Sequence, residues 1–133
     1  MRPVTKISLW GIRLGIVVLA IYWITIFTGT HLPTLADFSP DVNDKIKHFT
    51  AFFGLAFLLC YITNSSNYLR RFGMIALVCL AYAAIDELTQ NFVPGRVADK
   101  LDFAADSIGV SLAIMIYMAG KFAYERGPGQ RLA

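Results

Sequence analysis

Residues 72–106 read FGMIALVCLAYAAIDELTQNFVPGRVADKLDFAAD. Fourteen apolar residues, Phe72 to Ile85, run without a breaker into Asp86, Glu87 and Gln90. The pattern predicts a helix that continues to about Phe92 and stops before Pro94-Gly95. Asp99 then reads as the N-cap of a last helix, with Asp102 at the third position in capping-box fashion. Five carboxylates, Gln90 and Arg96 are thus packed between two apolar segments.

Working outward, the whole chain has the same apolar character. It has 133 residues, 56% of them hydrophobic, and a mean hydropathy of +0.56. These values are too high for an ordinary soluble domain, and the length suits one domain over residues 1–133. The net charge is +3, but no basic cluster is interleaved with aromatics, so a nucleic-acid partner is not expected. Cys60 and Cys79 both lie in apolar runs and read as packing residues.

Arg2 and Lys6 precede an apolar run from about Leu9 to Phe27, interrupted by Arg13. No small-x-small cleavage pattern follows, and the run is as long as a membrane span requires, so it reads as an uncleaved first span. A polar connection with Pro33 and Asp37 follows, and Ser39-Pro40 reads as a helix start. The apolar part of the second helix, Phe49 to Ile62, has 14 residues. Thr63 to Asn67 forms a polar turn, and Arg70-Arg71 opens the third element. The last helix extends to about Tyr124, before a Gly127-Pro128-Gly129 tail.

The expected fold is therefore all-α: a polytopic membrane protein with a bundle of four transmembrane helices, spans near 9–27, 46–62, 72–90 and 103–122. With the N-terminus inside, Arg2, Lys6, Arg13, Arg70, Arg71, Lys121, Arg126 and Arg131 fall on the inner face. Only Lys45, Lys47, Arg96 and Lys100 fall outside. That bias places both termini in the cytoplasm.

Helical counting then sets the depth of the polar residues. His48 lies 14 residues from Ile62 and Asp86 lies 14 from Phe72, while Asp106 lies 15 before Lys121. At about 1.5 Å per residue in a core about 30 Å thick, all three sit roughly 9 Å below the outer headgroups. Ionisable groups at such depth normally face a bundle interior or a wet cavity. Asp86 shares a helical face with Gln90, Asp102 with Asp106, and Lys45 with His48. These spacings describe a polar pocket walled by the second, third and fourth helices: Lys45, His48, Asp86, Glu87, Gln90, Arg96, Asp102 and Asp106. Blander roles exist for several of them. Asp86 and Glu87 could end a short span, Asp102 could serve the helix dipole, His48 could be interfacial and Arg96 a loop charge. Arg96 could instead pair with the carboxylates or hold an anionic group. His48 with Asp86, Glu87, Asp102 and Asp106 offers mixed N and O donors. No spacing matches a signature such as His-Glu-x-x-His, so no metal or cofactor is assigned.

The run Asp44-Lys45-x-x-His48-Phe49-x-x-Phe52, then Asp86-Glu87-x-x-Gln90-x-Phe92-x-Pro94-Gly95-Arg96, then Asp99, Asp102 and Gly109 resembles the VanZ-like family. The resemblance covers about Asp44 to Gly109. It implies a small multi-pass protein of the bacterial cytoplasmic membrane and cell envelope. The family's namesake is associated with low-level antibiotic resistance to teicoplanin, a lipid-tailed glycopeptide. One departure is Asp106, ahead of Gly109, where the family usually shows Asn. Two functions fit this setting. One is binding of an amphiphilic or lipid-linked ligand, such as a lipid-linked wall precursor or a lipoglycopeptide, in an outward-facing pocket. The other is a membrane-embedded acid/base or metal-dependent enzyme acting on a lipid-linked substrate, with His48 or Glu87 as base and Arg96 on a phosphate.

Overall fold

A computed structural model describes residues 7–9, 12–33 and 43–126. The Ser39-Pro40 helix start, Asp37 and the Gly127-Pro128-Gly129 tail lie outside the described residues. Four helices make up the bundle: α1 (Leu14–Thr30), α2 (Asp44–Ile62), α3 (Tyr68–Gln90) and α4 (Lys100–Arg126). A two-residue antiparallel pairing precedes α1, with Ser8 opposite Arg13 and Leu9 opposite Ile12.

That pairing corrects the first span. Leu14 N donates to Ile7 O at 2.8 Å and Arg13 is still paired with Ser8, so the helix starts at Leu14, about five residues later than apolarity suggests. It ends later too, at Thr30 instead of Phe27. At 17 residues it is roughly 26 Å long, shorter than the other three. Those three, of 19, 23 and 27 residues, are each long and apolar enough to cross a membrane.

The helix ends follow local chemistry. Asn43 is the N-cap of α2, its side chain accepting from Lys45 N at 2.9 Å, while Asn67 caps α3 by accepting from Arg70 N at 2.9 Å. Each satisfies an amide that the first turn leaves unpaired. After Gln90 the chain turns through Gly95, whose φ of 81° is a conformation glycine adopts without a Cβ penalty. Asp99 does cap α4, accepting from Leu101 N at 2.8 Å.

The core is built of Phe52, Leu55, Ala56, Cys60, Phe72, Ile75, Cys79, Ala83, Val110 and Ala113, closed on one side by Ile26. Small residues recur at these contacts, which lets helices approach closely where no water-driven force pulls them together. Large apolar side chains on the outside, among them Ile24, Leu77, Leu88, Ile108 and Met115, are exposed, as lipid-solvated surfaces require. At the end holding the α2–α3 turn, Arg71 is buried. Its guanidinium donates to the Cys60 and Thr63 carbonyls at the C-terminus of α2 and lies 5.0 Å from the Phe72 ring. A cation there suits the negative end of the helix dipole.

The tightest junction is between α2 and α4. A Cβ on Gly109 would stand 2.5 Å from Phe49 O and 3.1 Å from Phe53 N. Gly109→Ala must therefore push the two helices apart. It should destabilise the protein by about 1–3 kcal/mol, read as a lowered midpoint in detergent unfolding, whereas Gly120→Ala, with open space around it, should not.

Candidate functional site

At the opposite end from Arg71, four helices deliver polar side chains into the interior. His48, one turn into α2, places Nδ1 3.1 Å from Asp106 Oδ1 on α4 and 3.5 Å from Glu87 Oε1 on α3. Exposure of these residues is 2%, 0% and 6% respectively. His48 Nε2, Glu87 Oε1 and Asp106 Oδ2 are buried and have no hydrogen-bond partner among the described residues. Buried polar atoms are nearly always paired; apart from Tyr82 Oη, these three are the unpaired buried side-chain atoms among the described residues.

Glu87 has a second task. Its Oε2 accepts from Asp99 N at 3.0 Å, which ties the end of α3 to the start of α4. The capping box expected from Asp102 is therefore not formed: the acceptor for the cap amide comes from another helix. Asp102 instead accepts from Lys45 Nζ at 3.0 Å, and Asp99 accepts from the same ammonium at 2.9 Å. Lys45 and the Leu101 amide together hold the Asp99 carboxyl below the usual carboxylate range. This bridge forms the rim of the cluster, since Lys45 and Asp99 are both partly exposed.

Asp86 belongs to a different branch. It faces α1, where Thr30 Oγ1 donates to its Oδ1 at 2.9 Å, and Gln90 Nε2 on its own helix donates to its Oδ2 at 3.1 Å. His31 Nδ1 lies 3.7 Å from Asp86 Oδ1, and its Nε2 is 2.8 Å from Thr89 Oγ1. Sequence reasoning walls the pocket with the second, third and fourth helices alone, and Thr30 and His31 add α1 to it. The available signal was the Thr30-His31 pair close behind the first apolar run. Arg96, in the turn after α3, pairs with Asp44 at 3.0 Å and donates to Leu32 O at 3.3 Å.

Of the eight expected residues, Lys45, His48, Glu87, Asp102 and Asp106 thus share linked contacts across α2, α3 and α4. Asp86 and Gln90 pair with each other against α1, and Arg96 closes over Asp44. The helical count that set His48 and Asp106 at one level agrees with their direct contact.

Beside the cluster runs a cleft of about 430 Å³ between α1 and α2. Tyr22, Thr25, Ile26, Gly29, Ile46, Thr50 and Ala51 line it, and Thr30, Asp44, Lys47, His48 and Arg96 supply its polar part. Tyr22 bridges the two helices by donating to Ala51 O at 3.1 Å.

The Asp86 branch makes a test of how strongly α1 is bound in. Thr30→Val keeps the side-chain shape and removes the donor to a carboxylate that is 1% exposed. Leaving that acceptor short should cost about 1–3 kcal/mol, measurable as a lowered unfolding midpoint, and Thr30→Ser should recover most of it.

Comparison with known proteins assigns the chain to a family. A family model described as VanZ/LLP1 matches residues 18–122. An uncharacterized protein of the fission yeast Schizosaccharomyces pombe is 29% identical over 100 residues, covering 74% of this chain. The chain spans 61% of the length of that relative. No solved structure matches. With three helices long and apolar enough to cross a membrane and a matched segment that holds α2, α3 and most of α1 and α4, the chain is a multi-pass membrane protein and belongs to the VanZ/LLP1 family.

Proposed function

We propose that this protein binds an amphiphilic or lipid-linked ligand, its apolar part along the α1–α2 cleft and its head group at His48, Asp44 and Arg96. The single observation that carries the reading is the composition of that cleft: Tyr22, Ile26, Gly29 and Ile46 along its wall, and ionisable side chains beside them. An apolar groove with a few convergent polar groups is the usual form of a small-molecule site. Arg96 is held by a single carboxylate at 3.0 Å, and its planar fork suits a phosphate or carboxylate on the ligand.

Gly29 offers a clean test. A Cβ there meets nothing within 4 Å, so Gly29→Phe fills the cleft without touching the polar cluster. The purified protein should retain a radiolabelled or spin-labelled phospholipid probe, and Gly29→Phe should lower that retention about tenfold or more with an unchanged melting curve. Equal retention by the variant would contradict the reading.

A second reading, a membrane-embedded enzyme acting on a lipid-linked substrate, draws on one further observation. His48 presents Nδ1 to Asp106 while Nε2 has no partner among the described residues, the arrangement of an oriented acid–base pair. It requires product from a lipid phosphate in the same preparations, lost in Gly29→Phe and in His48→Gln; no product at any pH excludes it.

The charge distribution supports a cytoplasmic location for both termini, with the cluster near the extracytoplasmic side. In a bacterial inner membrane that side meets lipid-linked wall precursors and lipoglycopeptides such as teicoplanin, and an envelope or resistance role follows from ligand capture there. The similarity to a fungal protein supports a ligand class broader than wall precursors. Val97 is 78% exposed while Cys60 and Cys79 are fully buried. A membrane-impermeant thiol reagent applied to intact cells should therefore label Val97→Cys and leave Ser66→Cys unlabelled. The reverse pattern would invert the orientation.

A further inference from the structure

We propose that His48, Glu87 and Asp106 form a binding site for a divalent first-row transition cation, Zn²⁺ or Mn²⁺. Each residue offers one donor atom, and the three donors lie within 4.8 Å of one another. The separations from His48 Nδ1, 3.1 Å to Asp106 Oδ1 and 3.5 Å to Glu87 Oε1, match ligands sharing one small cation. Donors about 2.1 Å from such an ion, at tetrahedral or octahedral angles, stand about 3.0–3.4 Å apart.

Charge favours the same assignment. Glu87 and Asp106 are buried carboxylates whose only ion-pair partner among the described residues is His48. The nearby cations are engaged elsewhere, Lys45 with Asp99 and Asp102 and Arg96 with Asp44. Two buried carboxylates with one imidazole are costly without compensating charge, and a dication supplies it. Hydrogen bonding alone fits less well. A proton on Nδ1 serves Asp106 Oδ1 alone and leaves Glu87 Oε1 without a partner, whereas a cation shared by the three residues takes one oxygen from each carboxylate. The alternative set Asp44, His48 and Asp102 also has donors within 4.8 Å, but Arg96 and Lys45 already occupy its carboxylates.

Ligand softness selects the ion. One imidazole and two carboxylates suit Zn²⁺ or Mn²⁺, whereas Mg²⁺ and Ca²⁺ prefer oxygen alone. Three protein ligands leave further positions on the ion, as in sites where the metal also meets water or a ligand. Helix packing makes the assignment visible, since the three donors come from three helices.

The full chain, purified in detergent and stripped with chelator, would be dialysed against Zn²⁺, Mn²⁺ or Mg²⁺ in separate arms. Retained metal is counted by mass spectrometry, with melting temperature as a second readout. The expected result is about one Zn²⁺ or Mn²⁺ per chain with a raised melting temperature, since a ligand bound only by the folded state stabilises it. Glu87→Gln and Asp106→Asn, both near-isosteric, should weaken retention at least about tenfold, while the surface variant Glu125→Gln should not. If a variant does not fold, the metal-dependent rise in melting temperature of the unaltered chain decides. Retention of neither ion, or equal retention in the site variants, would overturn the assignment. Gly29→Phe should keep the metal, so failure of lipid retention and failure of metal retention are separable.

Discussion

The contact between His48 on α2 and Asp106 on α4 is the constraint around which the rest is arranged. It is fully buried, and Glu87 reaches it from α3, so three helices must meet at one depth to satisfy it. Gly109, one turn beyond Asp106, brings the α2 and α4 backbones close enough for it to form. Beyond that point the core is small and apolar, with Cys60, Cys79, Ala83 and Ala113 packed between helices. A polar end and an apolar middle are the expected division of labour in lipid, where buried charge requires partners and close packing supplies association.

The two ends of the bundle treat charge differently. Arg71 is consumed structurally: its guanidinium is spent on the C-terminal carbonyls of α2 and on the Phe72 and Tyr117 rings. The Asp86 branch is equally settled, because Thr30 and Gln90 occupy both carboxylate oxygens. Among the described residues, only the His48–Glu87–Asp106 cluster keeps several buried side-chain atoms without partners, and it adjoins the polar side of the α1–α2 cleft. That contrast separates charge that holds the fold from charge available for a ligand.

Much of this was legible in the sequence, for physical reasons. Apolar runs of membrane length reveal spans, and counting along a helix fixes depth, which is why His48 and Asp106 could be set level before their contact was known. What was not legible depended on packing across helices. Thr30 looks like any polar residue at a helix end until Asp86 is found facing it. The acceptor for the Asp99 amide proved to be Glu87, twelve residues away on another helix, where local capping rules pointed to Asp102. The late start of α1 came from pairing between residues 8–9 and 12–13, too short to leave a pattern. The meeting of His48, Glu87 and Asp106 was equally invisible as a spacing, because the three residues share no helix.

The central claim is that the buried polar cluster serves a ligand more than the fold. Replacing a buried ionic set by apolar residues of similar volume is often neutral or stabilising by about 1–4 kcal/mol. The most direct test is the combined variant His48→Phe, Glu87→Gln, Asp106→Leu, which leaves an acceptor for the Asp99 amide. Its melting temperature and its retention of phospholipid and metal would be measured together. A melting temperature equal to or above that of the unaltered chain, with retention lost, is the predicted result. A markedly less stable protein that still retains both would contradict the account.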